Sequence, residues 1–238
     1  MALVSGHTLT KYDKELVALD DLILSMFKLD QHNIKGALKA VYNGDREMAQ
    51  RIISQDEAVN ALEVQVDELA RRLIVTHQPA ASDLRKVFAV TKIVTDLERI
   101  SDLATDIAGA VSRVGGGSAV RFGQLKVMHK LVLGQIKAVR KAYFERDVEA
   151  AHRVIEQDNV VNEAYEACQR VMLTMMLEST KQITSYLALS NVAVELERIG
   201  DHITNIAEMT IYMVIGHEVR HVSPERIQAL IEDQDDDD

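Results

Sequence analysis

Apolar positions along the chain recur at alternating spacings of three and four. The pattern is clearest in two stretches. One runs Val90, Ile93, Leu97, Ile100, Ala104, Ile107, Val111, Val114; the other runs Leu189, Val192, Leu196, Ile199, Ile203, Ile206, Thr210, Met213. This spacing keeps one stripe of a helix apolar and marks helices that pack at shallow angles in a bundle. Strands would alternate with period two, a pattern the chain does not show.

Turn chemistry divides the periodic stretches. Tyr42-Asn43-Gly44-Asp45 is one turn, since Asn and Gly tolerate positive φ. Gln78-Pro79-Ala80-Ala81-Ser82 is another, with Ser82 predicted as an N-cap. Gly115-Gly116-Gly117-Ser118 is a flexible linker, and breaks fall near Arg146-Asp147 and Glu178-Ser179-Thr180. Six helical segments result, at about 8–42, 45–77, 82–114, 119–145, 147–178 and 181–215. Ser223-Pro224-Glu225 is a cap and first turn for a short seventh helix.

The segments repeat. Leu97–Ala108 (LERISDLATDIA) is identical at eight of twelve positions to Leu196–Ala207, 99 residues later (LERIGDHITNIA). Asp45–Asn60 matches Asp147–Asn162 at nine of sixteen positions, with an offset of 102. The first half therefore carries three extra residues near Pro79. The predicted fold class is all-α: two tandem three-helix bundles related by internal duplication. Residues 1–114 form the first bundle, 119–216 the second, and 217–238 a short helix and acidic tail. Short loops make each half an up-down-up bundle.

Composition sharpens this outline. The 238 residues are 47% apolar, with 4% aromatics, two prolines and 11 glycines, a helix-forming mixture with enough apolar mass for a core. A net charge of −10 argues against nucleic acid as a partner. The lone cysteine, Cys168, excludes an intrachain disulfide and reads as a small buried hydrophobe. No apolar run approaches the ~18 residues of a membrane span. The opening MALVSGHTLTKYDKEL lacks the basic and apolar regions of a signal peptide. The expectation is a cytoplasmic protein without direct membrane insertion, attached to a membrane only through partners. Met172, Met175 and Met176 read as core filler, and Asp233 with Asp235–Asp238 as a solvated end.

The candidate chemistry lies in the repeated acidic helices. Glu98, Asp102 and Asp106 are spaced i,i+4, which stacks them on one helix face. Glu197, Asp201 and Asn205 repeat the ladder with an amide at the end. One reading is a solvated face. Arg99 would then pair with Asp96 or Asp102, and Arg198 with Glu195 or Asp201, each for ~0.2–0.5 kcal/mol. The other reading is a cation site. Like charges at this spacing repel, no lysine stands between 96 and 114 to offset them, and the ladder is the best-preserved part of the repeat. Hard cations take several carboxylate oxygens. Asp56/Asn60 and Asp158/Asn162 on the preceding helices offer more oxygens at the same spacing.

Structural zinc does not suit these ladders, which hold no Cys or His at zinc-ligand spacing. Glu149/His152 and Glu218/His221 sit away from mid-bundle and do not suit a di-iron core. His202, about 100° around the helix from Asp201, reads as a surface or inter-helix hydrogen-bonding group.

At these residues the chain resembles the PhoU family. The resemblance rests on His7-x-x-x-x-Tyr12-Asp13-x-Glu15-Leu16, on Gln78-Pro79-Ala80-Ala81-Ser82-Asp83-Leu84-Arg85, and on two E(D)xxxD signatures, Asp96–Asp102 and Leu196–His202. It covers nearly the whole chain. It implies two tandem three-helix bundles, a homodimer, and multinuclear iron, zinc, manganese or magnesium sites in some members. By position it points to Glu98, Asp102 and Asp106 in one half and Glu197 and Asp201 in the other. Ser101 standing opposite Gly200, and Asn205 replacing an acid, imply a weaker second site. The implied role is an adaptor between the ATPase subunit of the phosphate ABC transporter and the phosphate-sensing histidine kinase. It would repress the phosphate-starvation response and restrain uptake.

A metal-dependent hydrolase or oxidase and a purely structural helical protein are the alternatives. Against an enzyme, the ladder has no nucleophile–base pair beside it and the chain has no Gly-rich phosphate loop, so no catalytic residue is predicted.

Overall fold

The computed structural model describes the backbone of residues 5–114, 123–220 and 222–235. The Gly115–Ser118 linker, His221 and the last three aspartates lie outside the described residues, as do the side chains of His7, Asp233 and Asp235. Among the described residues there is no strand. The first half holds α1 (Ser5–Asn43), α2 (Arg46–His77) and α3 (Ala81–Gly109), followed by a one-turn α4 (Val111–Val114). The second half holds α5 (Gly123–Glu145), α6 (Val148–Glu156), α7 (Asp158–Glu178) and α8 (Ile183–Ile215). The seventh helix predicted by the Ser-Pro-Glu cap is α9 (Pro224–Asp235), whose Ile227 and Ile231 are buried.

The two halves start their second helices in the same way. Asp45 accepts from the Met48 N–H and Asp147 from the Ala150 N–H, each satisfying an orphan donor of the first turn for about 1 kcal/mol. The preceding residue is left-handed in both: Gly44 at φ 65° and Arg146 at φ 53°.

Three boundaries differ from the sequence reading. Ser82 is not the cap of α3. The boundary residue is Ala80, which has no side chain to cap with, and Ser82 lies exposed in the first turn. The third segment is interrupted at Gly109-Ala110, because a helical glycine costs ~1 kcal/mol against alanine. The fifth segment is split at Gln157. There Asp158-Asn159 replaces the Asp56-Glu57 of the continuous α2, and Asn competes with the helix for backbone hydrogen bonds.

All sixteen predicted seam positions, on α3, α4 and α8, are buried. Helices α3 and α8 lie against each other in opposite directions and join the halves. Phe88 stacks edge-on to Tyr212, and a Cβ on Gly216 would come within 3.3 Å of the Arg85 guanidinium. A second joint lies between α1 and α5. Phe27 packs against Tyr143 and Phe144, and Asp20 takes the Tyr143 hydroxyl at 3.1 Å and Lys86 Nζ at 2.6 Å. Cys168 is fully buried and unpaired, with burial pushing its thiol up to about 11, as an inert core residue requires.

The opening and helix-joining motifs meet at one pole. Tyr12 donates to Asp83 at 2.9 Å, and Glu15 meets His77 at 3.1 Å and Arg72 at 3.5 Å. These contacts hold a tight turn in which Gln78 and Ala81 both take left-handed φ, at 45° and 41°. Such angles are costly for residues with a Cβ and persist where neighbours fix them.

Candidate metal centres

Each half gathers its acids in the groove between its second and third helices. In the first half Asp56 lies on α2, facing Glu98 and Asp102 on α3. Asn60, one turn along α2, donates to Asp56 Oδ2 at 3.3 Å. Ser101, fully buried, donates to Asp56 Oδ1 at 3.2 Å and accepts from Asn33 of α1 at 3.4 Å. The Glu98 side chain is only 17% exposed, so the ladder is not a freely solvated face. Burial pushes its carboxyl up, and Asp102, Glu63 and Asp56 push it further; Arg99 at 3.5 Å opposes them.

The second half repeats the arrangement with different supports. Asn162 donates to Asp158 Oδ2 at 2.9 Å, and Thr204 to Asp158 Oδ1 at 3.3 Å. Burial, Asp201 and Asp158 raise Glu197. Burial and Asp158 raise Asp201, against His202 and Arg198. Gly200 leaves open the place where Ser101 bridges in the first half. A Cβ there would stand 3.7 Å from both Asp158 Oδ1 and Gln135 Oε1.

The structure thus brings Asp56, Asn60, Glu98 and Asp102 together, and likewise Asp158, Asn162, Glu197 and Asp201. It turns Asp106 elsewhere. Successive i,i+4 steps drift ~40° around a helix, and Asp106 ends on the α8 side, exposed. It lines a cleft of about 280 Å³ with Arg113, Asn191 and Glu195. Asn205 occupies the matching place on α8. It donates to Asp96 Oδ1 at 3.1 Å, and His202 Nδ1 lies 2.8 Å from the same oxygen. The Asp106/Asn205 difference therefore belongs to the seam between the halves and gives no reason to call the second cluster weaker. His202 is the inter-helix hydrogen-bonding group its position suggests. Arg99 pairs with Asp102 at 3.0 Å, whereas Arg198 pairs with Glu195 at 2.9 Å.

Two acids escaped the sequence reading. Glu63 completes a stripe with Asp56 and Asn60, seven residues along α2. Burial and its neighbours Asp67 and Asp102 raise its carboxyl. Asp30 lies on α1, fully buried, with neither carboxylate oxygen in a hydrogen bond. Burial pushes it well above the usual carboxylate range, and its charged neighbours are the acids Asp56 and Glu98. The signal was present. Ile23, Phe27, Asp30 and Ile34 follow the three-and-four spacing, so Asp30 is an acid at a core position.

Among the described residues no three His, Cys, Asp or Glu side chains are gathered closely enough to hold a metal ion as they stand. The donor set itself suits a hard cation: carboxylate and amide oxygens from two helices, with Asn162 Oδ1 buried and unpartnered beside Asp158.

One further acid near the seam titrates in an accessible range. Burial pushes the Glu208 carboxyl up to about 7, with Glu218 and Asp96 adding to it and Arg220 opposing. A raised carboxyl favours the protonated folded state. Its stabilising effect is complete below pH 4.5 and is lost as pH rises through about 7. With screening at this half-buried position the loss is about 1 kcal/mol. Glu208→Gln keeps the neutral form at all pH. Its melting temperature should match wild type near pH 4.5 and exceed it by ~2–4 °C at pH 8. Melting curves at both pH values check this; a constant difference would assign the effect to packing.

Comparison with known proteins places these features. The PhoU domain matches the chain twice, at residues 23–111 and 125–210, one copy in each half. The phosphate-specific transport system accessory protein PhoU homolog of Burkholderia sp is 34% identical over 229 residues, spanning 94% of this chain and 97% of the relative. The phosphate-specific transport system accessory protein PhoU of Escherichia coli K12 is 31% identical over 235 residues, 98% of each chain. Among solved structures, PhoU from Pseudomonas aeruginosa superposes with a TM-score of 0.82 at 31% identity, covering 87% of this chain and 100% of that one. The phosphate transport system regulatory protein PhoU from Streptococcus pneumoniae gives 0.81 at 28% identity, covering 87% and 99%. With its acidic grooves duplicated in register with the two matched domains, the chain belongs to the PhoU family.

Proposed function

We propose that the protein regulates phosphate transport as an adaptor. In this reading it joins the ATPase subunit of a phosphate ABC transporter to a phosphate-sensing histidine kinase. It represses the phosphate-starvation response when phosphate is plentiful and restrains uptake. The observation that carries the reading is similarity over nearly the full length to phosphate-specific transport accessory proteins, without a large insertion or a missing half. No described helix is long and apolar enough to cross a membrane, which suits a protein that meets the transporter at its surface. The protein works as a homodimer and is not an enzyme.

The acidic grooves hold divalent or trivalent cations, iron, manganese, magnesium or zinc. Glu98, Asp102, Asp56 and Asn60 would hold one centre, and Glu197, Asp201, Asp158 and Asn162 the other. What supports this is that in both halves acids of the second-helix stretch push up carboxyls on the third: Glu63 and Asp56, with Asp102, add to burial at Glu98, and Asp158 adds to it at Glu197 and Asp201. A cation would offset that repulsion and tie each second helix to its third.

The adaptor role is tested by affinity capture from detergent-solubilised membranes of cells grown at low and at high phosphate. Retention of the transporter ATPase and the sensor kinase is the expected result. Recovery of neither at either phosphate level would sink the adaptor reading.

A further inference from the structure

A stripe of bases runs along α1, outside the acidic grooves. Lys28, His32, Lys35 and Lys39 recur at spacings of four, three and four, which puts them on one helix face. Like charges at this spacing repel, so the helix gains nothing from stacking them. The stripe is also duplicated. Under the 102-residue offset that aligns Asp45 with Asp147, Lys130, Lys137 and Lys141 of α5 match Lys28, Lys35 and Lys39. Arg153 of α6 matches Arg51 of α2 in the same way.

The two halves use these bases differently. In the second half Lys141 pairs with Glu145 at 3.5 Å and Arg153 with Glu149 at 3.9 Å, each one turn away on its own helix. In the first half Asn43 stands where Glu145 stands. Among the described residues, the side chains of His32, Lys35, Lys39 and Arg51 make no ion pair and no hydrogen bond. All four line one cavity of about 320 Å³ between α1 and α2, and no acid lines it. Gly36 and Ile52 make the closest approach there. A Cβ on Gly36 would stand 2.6 Å from Ile52 Cδ1, so only a bare backbone lets α2 come this near and bring Arg51 and Gln55 to the cavity. The Gln55 Oε1 is buried and receives no donor.

The chain carries a net charge of −10, yet three fixed positive charges meet at this one place with nothing to offset them. The cavity has room for about ten liquid waters at ~30 Å³ each, so it takes a small anion rather than a protein segment. Lys and Arg donate strong, charge-assisted hydrogen bonds to oxyanions. Gln55 narrows the class. A phosphoryl oxyanion at neutral pH keeps an O–H that can donate to an amide oxygen, whereas sulfate is an acceptor only.

We propose that the α1–α2 cavity of the first half binds a small phosphoryl oxyanion, held by Lys35, Lys39 and Arg51, with Gln55 supplying the acceptor for its hydroxyl. The cavity is separate from the acidic grooves between the second and third helices, so the inference does not depend on a cation there. Free orthophosphate and a short condensed phosphate share this chemistry.

The test titrates the full-length, metal-stripped protein with orthophosphate, pyrophosphate and sulfate by calorimetry at fixed ionic strength. Two variants are compared, Lys39→Gln/Arg51→Gln in the first half and Lys141→Gln/Arg153→Gln at the matching places in the second. All four residues are exposed, so both variants should melt like wild type. Wild type should bind orthophosphate or pyrophosphate saturably. The first-half variant should weaken that binding at least ~10-fold, the loss expected of one charge-assisted hydrogen bond, and the second-half variant should leave it unchanged. Saturation by orthophosphate identifies free phosphate as the ligand's source; saturation by pyrophosphate alone identifies a condensed phosphate. Sulfate binding as tight as that of either phosphate overturns the phosphoryl assignment. Full-strength binding by the first-half variant, equal losses in both variants, or no saturable binding of either phosphate by wild type overturns the site.

Discussion

Asp102→Asn/Asp201→Asn, carrying one amide in each half, should lose the saturable manganese heat of the metal-stripped wild type, with affinity reduced about 100-fold or more. The physical ground is the charge at each cluster. Burial and neighbouring acids raise Glu98 and Glu197, and the first acid neighbour of each is the aspartate four residues on. Removing that charge relieves the repulsion a cation would otherwise relieve, and removes a hard oxygen anion from its shell. The fold should survive. Asp102 is 39% exposed, Asp201 is also exposed, and asparagine keeps their shape. The variant should therefore melt at or slightly above the metal-free wild type, yet gain nothing from added manganese. Wild type should gain stability in proportion to the logarithm of ion concentration above its dissociation constant. Equal heats for variant and wild type would remove the metal assignment from both grooves at once.

How much of this was legible in the sequence depends on which distances a feature spans. The a/d seams depend only on local spacing, and every predicted seam residue is buried. The Asp45 and Asp147 caps follow from the repeat and from residue chemistry within one turn. The break at Gln157 was less visible, because Asp158-Asn159 weakens a helix without the strong signal of Pro or Gly. The ladder was read as one straight face. A real helix drifts, so Glu98 and Asp102 look into the α2 groove while Asp106 looks towards α8.

The destination of Asp96 could not be read at all. Its partners His202 and Asn205 lie more than a hundred residues away, on a helix of the other half. Nothing local states that α3 and α8 run antiparallel against each other. Asp30 is the opposite case: the period that found the seams also marks it as an acid among core positions.

Phe27→Ala should cost about 3–5 kcal/mol of unfolding free energy, the largest loss expected from any single truncation at the joint between the halves. Phe27 is fully buried on α1, yet its aromatic neighbours belong to α5. Its ring centroid lies 6.3 Å from that of Tyr143 and 6.4 Å from that of Phe144. Removing the ring leaves a cavity between the two bundles rather than inside one. That cavity cannot collapse easily while Asp20 holds both Tyr143 and Lys86. Phe144→Ala, at a position 38% exposed, should cost clearly less. Urea unfolding followed by circular dichroism measures both variants. A loss below about 1 kcal/mol for Phe27→Ala would show that the α1–α5 joint adds little. The shape of the transition carries a second result. The wide α3–α8 seam should keep wild type unfolding as one cooperative unit. If the α1–α5 joint is needed for that cooperativity, Phe27→Ala should separate two transitions.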